Sequence, residues 1–135
     1  MLVWSRRLLP LVIVATCAVA AAAALANTTH GGPLTGTWSG YLTAGGKRRH
    51  IVIVVNARET AGSWKLGATC YGPLKLDSIS YGYHHYLRKR GRGATCAGGD
   101  IDCLKRAGAN LYDAVTSRLG GAWDSSGTLR RVRHS

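Results

Sequence analysis

Apolar and polar residues alternate along short stretches of this chain, which predicts β-strands. Trp38 and Leu42 alternate with polar neighbours in one stretch, and Leu74 and Leu76 do so in another. A period of two places one row of side chains in a core and the other in water. Glycine-rich breaks recur every ten or so residues between these stretches, as is typical of turns. The pattern therefore predicts an all-β domain without a convincing helix after the N-terminal segment.

The predicted strands are rich in Val, Ile, Thr, Tyr and Trp and are bounded by turn signals. They cover residues 36–43, 50–57, 62–68, 71–80, 83–89, 94–96, 101–105, 109–116 and 121–132, the last with an internal turn at 124–127. Such short connections permit only antiparallel hairpins, because a parallel crossover needs a dozen or more residues. We therefore expect an up-and-down meander of about eight strands, closed into a small barrel because closure removes exposed edges. A two-sheet β-sandwich is the alternative.

An export signal is expected before this domain. Arg6 and Arg7 precede an apolar stretch at residues 8–25, and Ala24 and Ala26 give the small-x-small pattern that signal peptidase cleaves. We expect a signal helix at residues 1–26, cleaved or retained as an anchor, a flexible mature N-terminus at 27–35 and one barrel domain at 36–135. The two arginines also partly match a twin-arginine signal, so the export route stays open. The expected location is secreted or associated with the cell envelope.

Basic residues form clusters near the predicted turns and at the chain end. Without residues 1–26 the chain keeps sixteen Lys and Arg against six acids, a formal charge of +10. If the turns lie at one end of the fold, these clusters would merge into a surface for an anionic polymer, lipid headgroups or an acidic protein. The alternative is a solvated basic surface without a particular ligand. The residues predicted to bind an anion are Lys47, Arg48, Arg49, Arg88, Lys89, Arg90 and Arg92.

Three cysteines follow the signal segment: Cys70, Cys96 and Cys103. Export would place them where disulfides persist, so one bridge and one remaining thiol are expected. Cys70 with Cys96 is the preferred pair, and Cys96 with Cys103 across a hairpin at Gly99-Asp100 is the alternative. The thiols lack C-x-x-C spacing and adjacent histidines, so the sequence predicts no metal site.

The first predicted strand begins with a motif of known families. Leu34-Thr35-Gly36-Thr37-Trp38 resembles the Gly-x-Trp start of lipocalin and avidin-like barrels, in which the tryptophan plugs one end. In those families an arginine near the last strand lies over the ring as a cation-π contact. The resemblance implies this structural role for Trp38 with Arg130 or Arg131. The polar and aromatic residues with which avidin-like proteins hold biotin have no counterpart here.

A longer resemblance covers most of the chain after the signal. It is carried by Gly36-x-Trp38-x-Gly40, by residues 70–76 (CYGPLKL), 93–96 (GATC) and 121–123 (GAW), and by the final Gly-Thr-Leu-x-Arg. This order is similar to small extracytoplasmic domains of actinobacteria, which occur as secreted proteins or as extensions of membrane kinases. The resemblance implies a β-barrel and supports the pairing of Cys70 with Cys96. Cys103 and the high Lys and Arg content depart from it.

Residues for catalysis are sparse. Asp100 and Asp102 would share a face of a strand, either as paired carboxylates or, more commonly, as the solvated flank of a hairpin. His84 and His85 would point to opposite faces, so they cannot chelate one ion together. The sequence contains no nucleophile elbow, Walker loop, dinucleotide fingerprint or H-E-x-x-H motif. We therefore expect no enzymatic activity, no cofactor and no metal.

Aromatic and basic residues alternate between residues 81 and 90. On a strand, His84, Tyr86 and Arg88 would share one face, and Tyr83 and His85 the other. They could form a stacking strip for single-stranded nucleic acid or sugars. In the other interpretation, alternate tyrosines pack in the barrel while the basic residues face water. Export favours this second interpretation, because it removes most nucleic-acid partners.

The sequence hypothesis is a secreted, non-enzymatic β-barrel protein that binds an anionic cell-envelope component or a small ligand. One alternative is a secreted inhibitor or effector that binds an acidic partner protein, and a less favoured one is an enzyme of unknown type. Nucleic acid is not the first choice of partner. Membrane contact is expected only through the signal segment, if it is not cleaved.

Overall fold

The protein is an eight-stranded antiparallel barrel in which each strand pairs with its sequence neighbours and β8 closes on β1. The computed structural model describes residues 33–133, so the predicted signal segment lies outside the described residues. The prediction of an all-β up-and-down barrel is confirmed. The strands are β1 (Gly36–Ala44), β2 (Lys47–Val55), β3 (Ala61–Leu66), β4 (Cys70–Ser80), β5 (Tyr83–Arg88), β6 (Ile101–Ala107), β7 (Asn110–Thr116) and β8 (Trp123–Arg131).

Alternating side chains fill the barrel interior. Trp38, Ile53, Tyr86, Leu104 and Leu129 come from five different strands and are all fully buried in one apolar cluster. Every strand contributes at least one residue to this cluster, and inward-facing residues are spaced two apart because successive Cβ atoms point to opposite faces of a sheet. The period-two pattern of the sequence therefore becomes the inside and the outside of the barrel.

The barrel has two different ends, which we call the Trp38 end and the mouth. The Trp38 end is formed by residues 33–35, the loop at 56–60, the turns at 81–82 and 108–109, and the end of β8. The mouth is formed by the turns at 45–46 and 67–69 and the loops at 89–100 and 117–122. Gly45 and Gly46 both have positive φ angles (55° and 81°), the conformation that a two-residue hairpin turn requires. Strand β2 therefore begins at the rim of the mouth, with Lys47.

Two details of the predicted strand list are wrong. Residues 94–96 form no strand but part of the loop between β5 and β6, where the backbone N–H of Thr95 donates to the carbonyl of Thr69. The predicted turn at 124–127 is absent, because β8 is paired with β7 on one side and β1 on the other. A register shift between Val115 and Thr116 of β7 leaves one extra residue, Asp124, between their partners in β8. Tertiary pairing overrides local turn preference in this segment.

Residues 33–133 include no helix that is long and apolar enough to cross a membrane.

Candidate functional site

The predicted anion-binding residues fall into two groups. Lys47, Arg48 and Arg49 start β2, and Lys89, Arg90 and Arg92 lie in the loop after β5, so both clusters are at the mouth and exposed. Arg118, in the loop before β8, adds a seventh exposed cation to this end. Arg88 does not join them, since it is 4% exposed and lies inside the barrel. The other basic clusters, at residues 105–106 and 130–133, belong to the Trp38 end.

A cavity of about 220 Å³ opens among the strand ends at the mouth. Its walls are apolar at Leu42, Leu66 and Val115, and Arg88 contributes a charged group to its lining. The rim residues carry charges of both signs: Lys47, Arg49, Asp100 and Asp124. The cavity is therefore an amphipathic cup with room for a few ligand atoms, above a core that the protein's own side chains fill.

Arg88 and Asp102 form a buried ion pair beneath this cavity. Arg88 donates from Nε to one carboxylate oxygen of Asp102 and from Nη2 to the other, both over 2.7 Å. The guanidinium also lies 4.9 Å from the ring centroid of Trp64. Burial lowers the pKa of Arg88, but the charge and hydrogen bonds of Asp102 raise it more, so the net pKa is raised. The pairing corrects two expectations: Asp102 is fully buried, not a solvated hairpin flank, and Arg88 does not face water.

Asp113 is a third buried ionisable residue in this part of the core. It is fully buried, and neither of its carboxyl oxygens accepts a hydrogen bond from a described residue. Desolvation raises the pKa of Asp113 well above its ordinary value, the nearby Asp102 raises it further, and Arg88 opposes both. We therefore assign Asp113 as the neutral acid of this buried group. Sequence reasoning did not identify this residue, because nothing local distinguishes it from a solvated aspartate.

Asp113 is expected to make the barrel less stable as the pH rises. Its pKa is raised in the folded state, so the folded protein holds a proton that the unfolded chain releases near pH 3.8, the ordinary pKa of an aspartate side chain. The stabilisation is complete below that value and is lost as the pH rises through the higher folded pKa. Urea unfolding from pH 4 to 9 measures this loss.

The control is Asp113→Asn, which keeps the size of the side chain and cannot ionise. The difference in unfolding free energy between the native chain and this variant should change with pH in the direction given above. A pH-independent difference across the whole range would contradict the assignment of Asp113 as the neutral acid.

The Trp38 end is closed by protein groups. The indole Nε1 of Trp38 donates to the carbonyl of Leu34 at 2.8 Å, and Leu34 is itself only 2% exposed. Arg131 lies 4.3 Å from the Trp38 ring centroid and donates to the carbonyl of Thr35, whereas Arg106 lies at 5.2 Å. Of the two predicted candidates, Arg131 makes the cation-π contact and Arg130 points outward. Among residues 33–133, protein groups thus cover the Trp38 end, whereas the cavity described above opens at the mouth.

Among residues 33–133, Cys70 and Cys96 form a disulfide and Cys103 is a free thiol. The bridge ties the start of β4 to the loop after β5, which fixes part of the rim. Disulfides of this kind are typical of proteins in oxidising compartments. Cys103 faces the outside of β6 but is buried there, with its Sγ 3.2 Å from Nδ1 of His85.

The contact of Cys103 with His85 does not create a reactive thiol. Burial raises the pKa of Cys103 to about 11, and the nearby carboxyl groups of Asp113 and Asp102 add to this effect. Nε2 of His85 lies 2.9 Å from Oγ of Ser80. Since thiolates are the reactive form of cysteine, this set of contacts serves packing on the outer wall.

The predicted strip between residues 81 and 90 is divided between the two faces of β5. Tyr86 and Arg88 are buried inside, and the Tyr86 hydroxyl donates to the carbonyl of Glu59 at 2.7 Å. Tyr83 lies outside and contacts Trp123, with ring centroids 6.2 Å apart. No continuous stacking strip therefore forms along this strand.

Fold and site together define a closed eight-stranded up-and-down barrel with a basic mouth and a buried charged group below it. Comparison of the chain with protein-family models, with curated proteins and with solved structures finds no match. Within residues 33–133, no group of three or more His, Cys, Asp or Glu side chains is placed to hold a metal ion.

Proposed function

We propose that this protein is a secreted, non-enzymatic binding protein whose mouth holds an anionic ligand of the cell envelope. The main support is the set of seven exposed cations at the mouth. They come from three segments that are distant in sequence: the start of β2, the loop after β5 and the loop before β8. Only two acids, Asp100 and Asp124, line the cavity there. The proposal extends the resemblance to small actinobacterial extracytoplasmic domains, and the disulfide is consistent with export.

Lack of internal neutralisation supports this proposal. Among residues 33–133, the ion pairs within 4.0 Å are Arg88 with Asp102 and His84 with Glu59, so none involves a cation of the mouth. Exposed like charges repel one another and are screened by salt. A polyanion that follows the rim would relieve this repulsion and release counterions, which gives strongly salt-dependent binding.

The mouth cavity supports a small ligand as a variant of this function. The Arg88 side chain donates from Nε and Nη2 to Asp102. The Nη1 hydrogens make no hydrogen bond to a described residue. Apolar walls next to the Nη1 donor of Arg88 suit the charged end of a small anionic amphiphile. Because the cavity measures only about 220 Å³, it would hold such a molecule only in part.

The proposal is tested by retention of the domain that begins at Asn27 on immobilised polyglycerol phosphate across a salt series. We expect retention at low salt that falls steeply as salt increases. The triple variant Arg49→Gln, Lys89→Gln, Arg92→Gln should lower the magnitude of the slope of log affinity against log salt by about 2 to 3. Each cation contact that is removed lowers the number of counterions released on binding by about one.

A matched triple variant removes the same charge from the Trp38 end of the barrel: Arg58→Gln, Lys105→Gln, Arg133→Gln. These three residues are exposed, so their replacement should affect folding as little as that of the mouth residues. The mouth variant should lose much more affinity than this control. Equal losses in both variants, or no retention of the native domain at low salt, would refute the proposed role of the mouth.

A further inference from the structure

A second concave surface lies on the outer wall of the barrel. This outer groove, of about 690 Å³, follows β1 between β2 and β8. Its side chains all carry hydrogen-bond donors: Ser39, Tyr41, Arg48, His50, Thr128 and Arg130 line it, together with Thr43. The lining contains no carboxylate. Among the described residues the outer groove therefore combines positive charge with hydroxyl donors.

Barrel closure brings these residues together. Ser39 of β1 is the register partner of Arg130 in β8, and Tyr41 is the partner of His50 in β2. Side chains of partnered residues stand on the same face, with Cβ atoms about 5 Å apart. Ser39 also contacts His50 diagonally, so residues 39, 50 and 130 form a cluster across three strands, although the last of them is about eighty to ninety positions from the other two along the chain.

Contacts within the outer groove hold its donors in place. The Arg48 guanidinium lies 4.4 Å from the ring centroid of Tyr41, and Oγ of Ser39 lies 2.7 Å from Nε2 of His50. Whichever atom carries the shared hydrogen, the pair retains one that it does not share, on the Ser39 hydroxyl or on Nδ1 of His50. Groups that are already ordered lose less entropy when a ligand binds.

We propose that the outer groove binds a phosphoryl group, specifically a phosphodiester of an anionic envelope polymer. The cations of the groove are arginines, whose planar forks match phosphate oxygens in pairs. The hydroxyl donors beside them suit a tetrahedral anion with several acceptor oxygens better than a planar carboxylate. This inference rests on the proposed function for its polymer class, and it assigns the chemical group that is recognised.

Arg48 connects the outer groove to the mouth. It belongs to the same turn cluster as Lys47 and Arg49, whose side chains face the cavity. Alternate residues of a strand point to opposite faces, so this one segment presents charge both to the rim and to the outer wall. A polymer that leaves the mouth over the turn at 45–46 would enter the outer groove next.

The test consists of two titrations of the domain from Asn27. In the first, NMR amide shifts monitor binding of glycerol 3-phosphate. In the second, calorimetry compares polyglycerol phosphate with polyglutamate of matched length. We expect glycerol 3-phosphate to shift the resonances of Ser39, His50 and Arg130, and the phosphodiester polymer to bind more tightly than polyglutamate. Arg130→Gln should weaken phosphate binding about tenfold, the loss of one charge-assisted contact. Arg58→Gln, with the same change in charge, should alter it less than twofold.

Arg130→Lys separates recognition from general attraction, because it keeps the charge and removes the fork. We expect this variant to weaken phosphate binding several-fold and to leave polyglutamate binding unchanged. Equal binding of both polymers, together with full binding by Arg130→Lys, would overturn the phosphoryl site while leaving the basic mouth in place. Absence of binding to either polymer would overturn the proposed function as well.

Discussion

Replacement of Asp102 by alanine is expected to lower the free energy of unfolding by about 3 to 5 kcal/mol, because it leaves the Arg88 guanidinium buried without its partner. Arg88 is 4% exposed and makes both hydrogen bonds of its ion pair to this one carboxylate. Lost packing around the fully buried side chain adds to the penalty. Urea unfolding at constant pH, monitored by tryptophan fluorescence, measures the effect.

Asp113 provides a second buried carboxyl group, which can ionise beside Arg88 when Asp102 is absent. The double variant Asp102→Ala, Asp113→Asn removes this compensation and should be at least as unstable as the single variant. Asp77→Asn is the surface control, since Asp77 is exposed and such changes usually cost no more than about 0.5 kcal/mol. A loss below 1 kcal/mol in the double variant would contradict a buried pair at this position.

Removal of the disulfide is expected to have the second largest effect. Cys70 and Cys96 are 26 residues apart, and closing a loop of this length in the unfolded chain contributes about 3 to 4 kcal/mol. The double variant Cys70→Ser, Cys96→Ser should lose that amount in urea unfolding. The loop at 89–100, which the bridge anchors, should show faster amide hydrogen exchange in the variant.

Thiol counting provides the control for this experiment. The denatured, unreduced domain from Asn27 should react with one equivalent of a thiol reagent, at Cys103, and with three after reduction. Cys103→Ala removes the remaining thiol without touching the bridge, so it should leave the stability difference between oxidised and reduced protein intact. Three reactive thiols before reduction would contradict the pairing.

Local patterns were sufficient to predict much of the fold. The strands around Trp38 and Leu74 follow from alternation, which is a property of the backbone and needs no knowledge of partners. Closure of about eight strands follows from the short connections and the cost of free edges. Residues 94–96 and 124–127 were predicted wrongly because their conformation depends on neighbours: one segment is tied into a loop, and the other is paired on both sides.

Prediction of the site was less complete, as Arg88 illustrates. Its place in a basic run suggested a surface residue, but its position on β5 turns it inward with Tyr86. The alternation within β5 did predict that shared face. What it could not predict was the partner, because Asp102 lies on another strand and nothing local marks it as buried.

The sequence by itself determined the barrel, the position of Trp38 at the start of its first strand, and the excess of positive charge in turns, since these depend on local periodicity and composition. The tertiary structure alone decided that Arg131 and not Arg130 covers the Trp38 ring, that Asp113 lies beside the buried ion pair, and that the outer groove exists. The physical reason is register: only strand pairing and closure of β8 on β1 fix which distant residues become neighbours.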